Sequence, residues 1–124
     1  MARKPRNPFE QGLWKQLRPT RRAAYESETI TYQIAETRRY LPDFVLKTKA
    51  GHKIYIEGKG KFSATDRKKM LLVQAQHPHL DIRFVFYRAK AKIRKGSQTT
   101  HAMWAEKHDF PWADKTIPKE WINE

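Results

Sequence analysis

The sequence contains no cysteine, which excludes disulfide staples and thiolate metal sites alike and suits a reducing compartment. No apolar run approaches the roughly 20 residues needed to cross a bilayer, so no membrane span is expected. The opening Met1-Ala2-Arg3-Lys4-Pro5-Arg6 is basic, but no apolar segment follows it, and it does not read as a signal peptide. Internal repeats and low-complexity segments are absent. So is a long basic amphipathic helix with a clean apolar face, which makes an acidic membrane surface a poor partner.

What the chain has in excess is positive charge. Its 124 residues hold 26 Lys and Arg against 13 Asp and Glu, a formal net charge of +13. That length makes one compact domain the default and can bury a core unaided. Such an imbalance adds nothing to a core, and its self-repulsion opposes folding unless a polyanion relieves it; nucleic acid is the commonest one.

Residues 1–7 read as a flexible basic arm ahead of a single domain over 8–124. Asn7 can cap a helix, Pro8 suits its first position, and Phe9, Leu13 and Leu17 recur at helical spacing until Pro19 ends it. Residues 27–36 look like a strand, with Ile30, Tyr32 and Ile34 on one parity. Asp43–Thr48 and His52–Lys59 read as two strands joined at Lys49-Ala50-Gly51. Placing Phe44, Leu46, Ile54 and Ile56 on one face requires paired residue numbers with an even sum. A three-residue loop then sets Phe44 opposite Ile56, Asp43 opposite Glu57, and Gly51 where a left-handed residue is wanted. Ser63 or Thr65 can cap a helix that His77-Pro78 stops. Residues 82–87 form a strongly apolar strand, and strand–helix–strand in this span predicts a right-handed parallel crossover. A basic loop over 88–97, a helix over 97–108 with Met103 and Trp104 inward, and a short closing helix near 117–121 complete the expectation.

The hairpin register gathers chemistry. Glu57 and Lys59 lie two apart on one strand, sharing a face at about 7 Å, and Asp43 joins them across the pair. Carboxylate oxygens are hard ligands that suit Mg²⁺ or Mn²⁺, with the Gly58 carbonyl as a further donor. A cation held by Asp43, Glu57 and Gly58 can polarise a phosphoryl oxygen. Lys59 can orient or deprotonate water, or stabilise the transition-state charge. Each residue alone has a plainer explanation. Glu-x-Lys is common where 31% of residues are charged, Pro42-Asp43 is usually a turn, and Glu10 is most simply a capping-box glutamate. Other features carry less. His77 and His79 flank Pro78 without a cysteine for zinc. Ser97, Thr99 and Thr100 near His101 show no nucleophile geometry. The four tryptophans suit a core better than stacking platforms. Arg3, Lys4, Arg6, Lys61, Arg67, Lys68, Lys90, Lys92, Arg94 and Lys95 are the candidate DNA contacts.

Pro42-Asp43 followed by Glu57-Gly58-Lys59 resembles the signature of restriction-endonuclease-like nucleases. The likeness extends to the endonuclease I family of the T-odd coliphages, which resolves Holliday junctions. It is carried by Phe9-Glu10-Gln11-Gly12-Leu13-Trp14-Lys15-Gln16-Leu17, Leu41-Pro42-Asp43-Phe44, Glu57-Gly58-Lys59-Gly60, Asp66-Arg67-Lys68-Lys69, Gln76-His77-Pro78, Leu80-Asp81-Ile82-Arg83, Lys95-Gly96-Ser97, Glu106-Lys107-His108 and Glu120-Trp121-Ile122. The resemblance implies an α/β fold with a mixed sheet flanked by helices. It also implies an intertwined homodimer whose bridge falls near residues 31–37, and composite sites in which one chain gives Glu10 and the other gives Asp43, Glu57 and Lys59. The activity implied is Mg²⁺-dependent cleavage of four-way DNA junctions by paired nicks, in the cytoplasm of a phage-infected bacterial cell. The family continues into a basic extension beyond the stretch corresponding to Trp121-Ile122-Asn123-Glu124; Arg3, Lys4 and Arg6 are expected to supply backbone affinity in its place. A less selective nuclease, a non-enzymatic basic nucleic-acid-binding protein and a DNA-coating virion protein are the alternatives.

Overall fold

A computed structural model describes residues 3–34 and 36–124. Met1 and Ala2 of the basic arm, and Ala35 in the stretch where a bridge is expected, lie outside the described residues. Helix α1 spans Pro8–Leu17, with Asn7 as its N-cap accepting from the Glu10 amide at 2.8 Å. A 3-10 turn over Arg18–Thr20 leads into β1, Ala23–Tyr25. Next come β2 (Ile30–Gln33), β3 (Thr37–Tyr40), β4 (Phe44–Lys47) and β5 (Lys53–Lys59). Helix α2, Ala64–Gln76, starts at a reciprocal capping box between Ser63 and Asp66. Then follow β6 (Asp81–Phe86), α3 (His101–Lys107), β7 (Trp112–Asp114) and α4 (Lys119–Ile122).

Five strands form one mixed sheet in the order β1-β4-β5-β6-β7. The β4–β5 hairpin is antiparallel with Phe44 opposite Ile56, Val45 opposite Tyr55 and Leu46 opposite Ile54, the register that the apolar pattern demands. Gly51 sits at φ +92° in the connecting turn, where a Cβ would be strained. Strand β6 runs parallel to β5, with α2 as the crossover, and β7 runs parallel to β6. The alternation of these strands sends Phe44, Leu46, Ile54, Ile56 and Val85 to one face, against Leu13 and Leu17 of α1. Val45, Tyr55, Ile82, Phe84 and Phe86 go to the other face, against Met70 and Val73 of α2 and Trp104 of α3. The result is an α/β sandwich with a mixed sheet between helices, as the fold expectation required.

Several local expectations are corrected. Helix α3 begins at His101, because Thr100 caps it through the Met103 amide and bridges back to Lys92, holding the residues before it extended. Trp104 is buried there, but Met103 is 49% exposed; the inward stripe is His101, Trp104 and Ala105, and Met103 falls off it by one helical step. The short strands β1, β3 and β7 have no sequence forecast. Strand β2 pairs with β3 of its own chain, from Ile30 opposite Tyr40 to Gln33 opposite Thr37. In the basic arm, Pro5 is buried, and Arg3 and Arg6 reach Glu26 at 3.0 and 3.4 Å. Among the described residues no helix is long and apolar enough to cross a membrane.

Candidate active site

Glycine at position 58 lets the site close. A β-carbon there would lie 3.0 Å from Leu13 Cδ1 and 3.4 Å from Phe9 Cε2, so its absence admits α1 onto the end of β5. The Gly58 amide donates to Asp43 Oδ2 at 2.9 Å, and the Asp43 amide donates to Glu57 Oε1 at 3.3 Å. The two acids are therefore held side by side, one by the Gly58 amide and the other by the Asp43 amide, just beyond the last rung of the β4–β5 ladder. Glu57 Oε1 also accepts from the buried Tyr40 hydroxyl at 2.7 Å, while Oε2 faces Lys59 Nζ at 3.6 Å. Lys59 reaches Asp66 Oδ2 at 3.8 Å on its other side. Glu10 Oε1 accepts from Tyr25 Oη at 2.5 Å. Its carboxylate turns away from the capping role that sequence alone favours and toward Asp43, whose proton affinity it raises.

The electrostatics are unbalanced for a resting protein. Burial, then the charges of Glu57 and Glu10, push the Asp43 carboxyl up to about 8, against the opposing pull of the Gly58 amide and Lys59. Burial also raises Glu57, which Lys59, the Tyr40 hydroxyl, the Asp43 amide and Lys69 only partly offset. Two adjacent desolvated carboxylates resist joint ionisation unless a cation joins them. Asp43 Oδ1 has no hydrogen-bond donor among the described residues, and Glu57 Oε2 has only the distant Lys59 ammonium. Among the described residues, no three histidine, aspartate or glutamate side chains converge into a metal cage. Two carboxylate oxygens with a nearby backbone carbonyl still fit a hard divalent ion, because Mg²⁺ keeps several waters and shares its shell with substrate phosphate.

An open cleft of about 520 Å³ leads to this cluster, walled by Asn7, Pro8, Phe9, Glu10, Gly58, Gly60 and Tyr87. One chain thus brings Glu10, Asp43, Glu57 and Lys59 together, where the resemblance had divided them between two. A sequence profile of the family described as Phage endonuclease I matches residues 3–124. The chain belongs to that family. Endonuclease I of Escherichia phage T7 is 46% identical over 101 residues, covering 81% of this chain and 65% of its own length. Endodeoxyribonuclease 1 of Enterobacteria phage T3 is likewise 46% identical over 101 residues, covering 81% of this chain and 64% of its own. The match spans slightly under two thirds of the length of these relatives.

Within this phage endonuclease I fold, the predicted cations are not equivalent. Lys61, Lys68, Lys90, Arg94 and Lys95 are exposed. Arg67 is partly buried and donates from Nη1 to the carbonyls of Phe62 and Ile93, so it fastens the basic loop to α2. Lys92 reaches Gln98 at 3.1 Å. Arg3 and Lys4, with Trp14, Lys15 and Arg18, wall a second hollow of about 430 Å³ on the outer side of α1. Sequence reasoning missed Tyr25, Tyr40 and Asp66, each of which touches a candidate catalytic group. The sequence offered Ser63 or Thr65 as a helix cap but gave no sign that Asp66, which completes the capping box, also reaches Lys59. Neither tyrosine carries a sequence signal, since both are strand residues brought in by tertiary contact.

Proposed function

We propose that this chain is a metal-dependent endodeoxyribonuclease that hydrolyses phosphodiester bonds in branched DNA and resolves four-way junctions by paired nicks, acting as a homodimer in the infected bacterial cell. The observation that carries the reading is the pair of desolvated carboxylates, Asp43 and Glu57, tied backbone to side chain and flanked by Lys59, in a chain of net charge +13. Asp43 and Glu57, with the Gly58 carbonyl, would hold Mg²⁺ or Mn²⁺, which when bound supplies Lewis acidity and a more acidic water. Hydrolysis joins a water oxygen to phosphorus and breaks one phosphorus–ester bond; the water loses a proton and the departing sugar oxygen gains one. Lys59 stands between the carboxylates of Glu57 and Asp66 as an ion-pair partner, which suits stabilising the extra phosphoryl charge better than abstracting a proton. Glu10, steadied by Tyr25, borders the cleft where an attacking water would sit. Tyr40 fixes the rotamer of Glu57, and the exposed lysines and arginines hold the DNA backbone.

A homodimer is part of the same proposal, with the connection between β2 and β3 as its hinge. Strands β2 and β3 are joined by the short connection 34–36. If that connection opens, at the loss of the Ile34 amide bond to the Glu36 carbonyl, the segment before it can make its remaining contacts with a second copy instead. Glu10 and Tyr25 of one chain would then meet Asp43 and Glu57 of the other.

Cleavage of a supercoiled cruciform plasmid and of a matched linear duplex, each with Mg²⁺, Mn²⁺ or chelator, tests the activity. Metal-dependent cutting of the cruciform is expected; binding without cutting in either metal overturns the enzyme reading. Co-expression of Glu10→Ala with Glu57→Ala tests the exchange. Swapped chains regenerate one intact site per mixed dimer and recover activity, whereas unswapped chains recover none.

A further inference from the structure

Tyr87 stands at the mouth of the cleft with no role in the chemistry above. At 54% exposure it is the most exposed large hydrophobic residue among the described ones, and the only aromatic among those exposed. Its backbone is nonetheless rigidly held. The Tyr87 amide donates to the Lys59 carbonyl at 2.9 Å, continuing the β5–β6 ladder by one residue, and the adjacent Phe86 carbonyl accepts from Lys115 at 2.7 Å. The ring meets Phe9 edge to face, with centroids 5.4 Å apart and planes at 69°. Phe9 in turn borders Gly58: the β-carbon that Gly58 lacks would lie 3.4 Å from Phe9 Cε2 and 3.7 Å from Asp43 Oδ2. The aromatic pair thus begins within one side chain's breadth of the candidate metal ligands. Gly60 leaves open space beside it, with no atom within 4 Å of where its β-carbon would be. Arg88 and Lys90 follow within three residues and line the neighbouring hollow with Lys115, which is paired to Asp114.

A solvent-facing ring on a fixed backbone, beside a phosphate-cleaving centre and bracketed by cations, has the chemistry of a nucleobase platform. We propose that Tyr87, buttressed by Phe9, stacks on a base next to the scissile phosphate whose face is uncovered because base stacking is interrupted there. This rests on the nuclease reading and deepens it. In continuous duplex both faces of each base are covered by neighbours, so the platform has nothing to cover; at a branch point a face is free. Tyr87 therefore favours branched DNA over duplex, while Lys90 and the other cations bind the backbone of both alike.

The test places 2-aminopurine at the exchange point of a synthetic four-way junction and measures its fluorescence on binding with Ca²⁺ in place of Mg²⁺, so that cleavage is not required. Wild type is expected to quench the probe. Tyr87→Ala loses that quench, and Tyr87→Phe, which keeps the ring, retains it. In Mg²⁺, Tyr87→Ala is expected to lower the junction rate about tenfold more than the duplex rate, within the range that one stacked base supplies. Quenching by Tyr87→Ala equal to wild type, no quenching by wild type, or an equal loss of both rates overturns the proposal. A wild-type protein that quenches but cuts neither substrate overturns the nuclease reading and leaves the platform standing.

Discussion

Two clusters of charge sit at opposite ends of the central parallel strands, and they are built on opposite plans. At the start of β6, Asp81 receives Arg83 through both oxygens at 2.9 and 2.7 Å, and His52 lies 3.1 Å from its Oδ2. Arg83 also pairs with Glu124 at 2.5 and 3.1 Å and lies over the Trp121 ring at 5.3 Å. Burial pulls Asp81 upward, but Arg83 and His52 outweigh it and hold the carboxyl below its ordinary value. At the end of β5 the same residue types are left under-compensated, and burial wins: Asp43 and Glu57 both move up. Satisfied charges hold a fold together, whereas crowded, unsatisfied ones are tolerated where a ligand completes them.

The sharpest way to break this contrast is to delete charge at the acidic end. Lys59→Ala or Glu57→Ala is expected to lower the single-turnover cleavage rate by at least about 100-fold, with junction binding retained in a gel-shift assay. Variants that cut like wild type would show that the cluster has no part in the chemistry.

A pH series on the metal-free protein sharpens it further. Asp43 binds its proton more tightly folded, at about 8, than at its ordinary 3.8. The folded state therefore holds more protons than the unfolded state between those values, and stability falls as pH rises through that window. Thermal melts are expected to show a falling midpoint over that range, reversed by Mg²⁺ at the alkaline end and flattened in Asp43→Asn. A midpoint that rises through the window contradicts the assignment.

The satisfied end behaves the other way. Arg83→Ala is expected to cost about 1–2 kcal/mol, between the values for exposed and buried pairs, measured by urea unfolding, with cleavage per folded molecule kept. Since the Asp81 carboxyl is depressed in the fold, its contribution is present above its ordinary range and is lost as pH falls through the folded value. The smallest effect is expected from Tyr40→Phe, which removes one buried hydrogen bond to Glu57, worth about 1 kcal/mol. It is expected to slow cutting several-fold with little change in substrate affinity; a change confined to affinity would place Tyr40 outside the chemistry.

Much of the β4–β5 hairpin was readable in advance, because one physical constraint governed it. Four apolar side chains had to share a face, and strand periodicity of two leaves one parity for the turn; the register with Phe44 opposite Ile56 followed. The α1 and α2 starts were readable for a similar local reason, since Asn7 and Ser63 cap through backbone amides within three residues. Met103 was misread because two neighbouring apolar residues compete for one inward position, and Trp104 takes it. Strands β1 and β7 escaped notice because three residues carry too few alternations to form a pattern, and β3 because its Thr-Arg-Arg-Tyr has no apolar alternation.

Sequence by itself determined the charge excess, the cysteine-free chemistry, the capped helices and the hairpin that sets Asp43 beside Glu57, since each depends on composition or on contacts near in the chain. Only the tertiary structure decided that Glu10 faces Tyr25 and Asp43 rather than its own cap, that Tyr40 braces Glu57, that Arg67 is occupied by backbone carbonyls, and that Tyr87 stands uncovered at the cleft. Those relations join residues far apart in the chain, and they arise when two faces of one sheet are covered at once, a condition that no local pattern encodes.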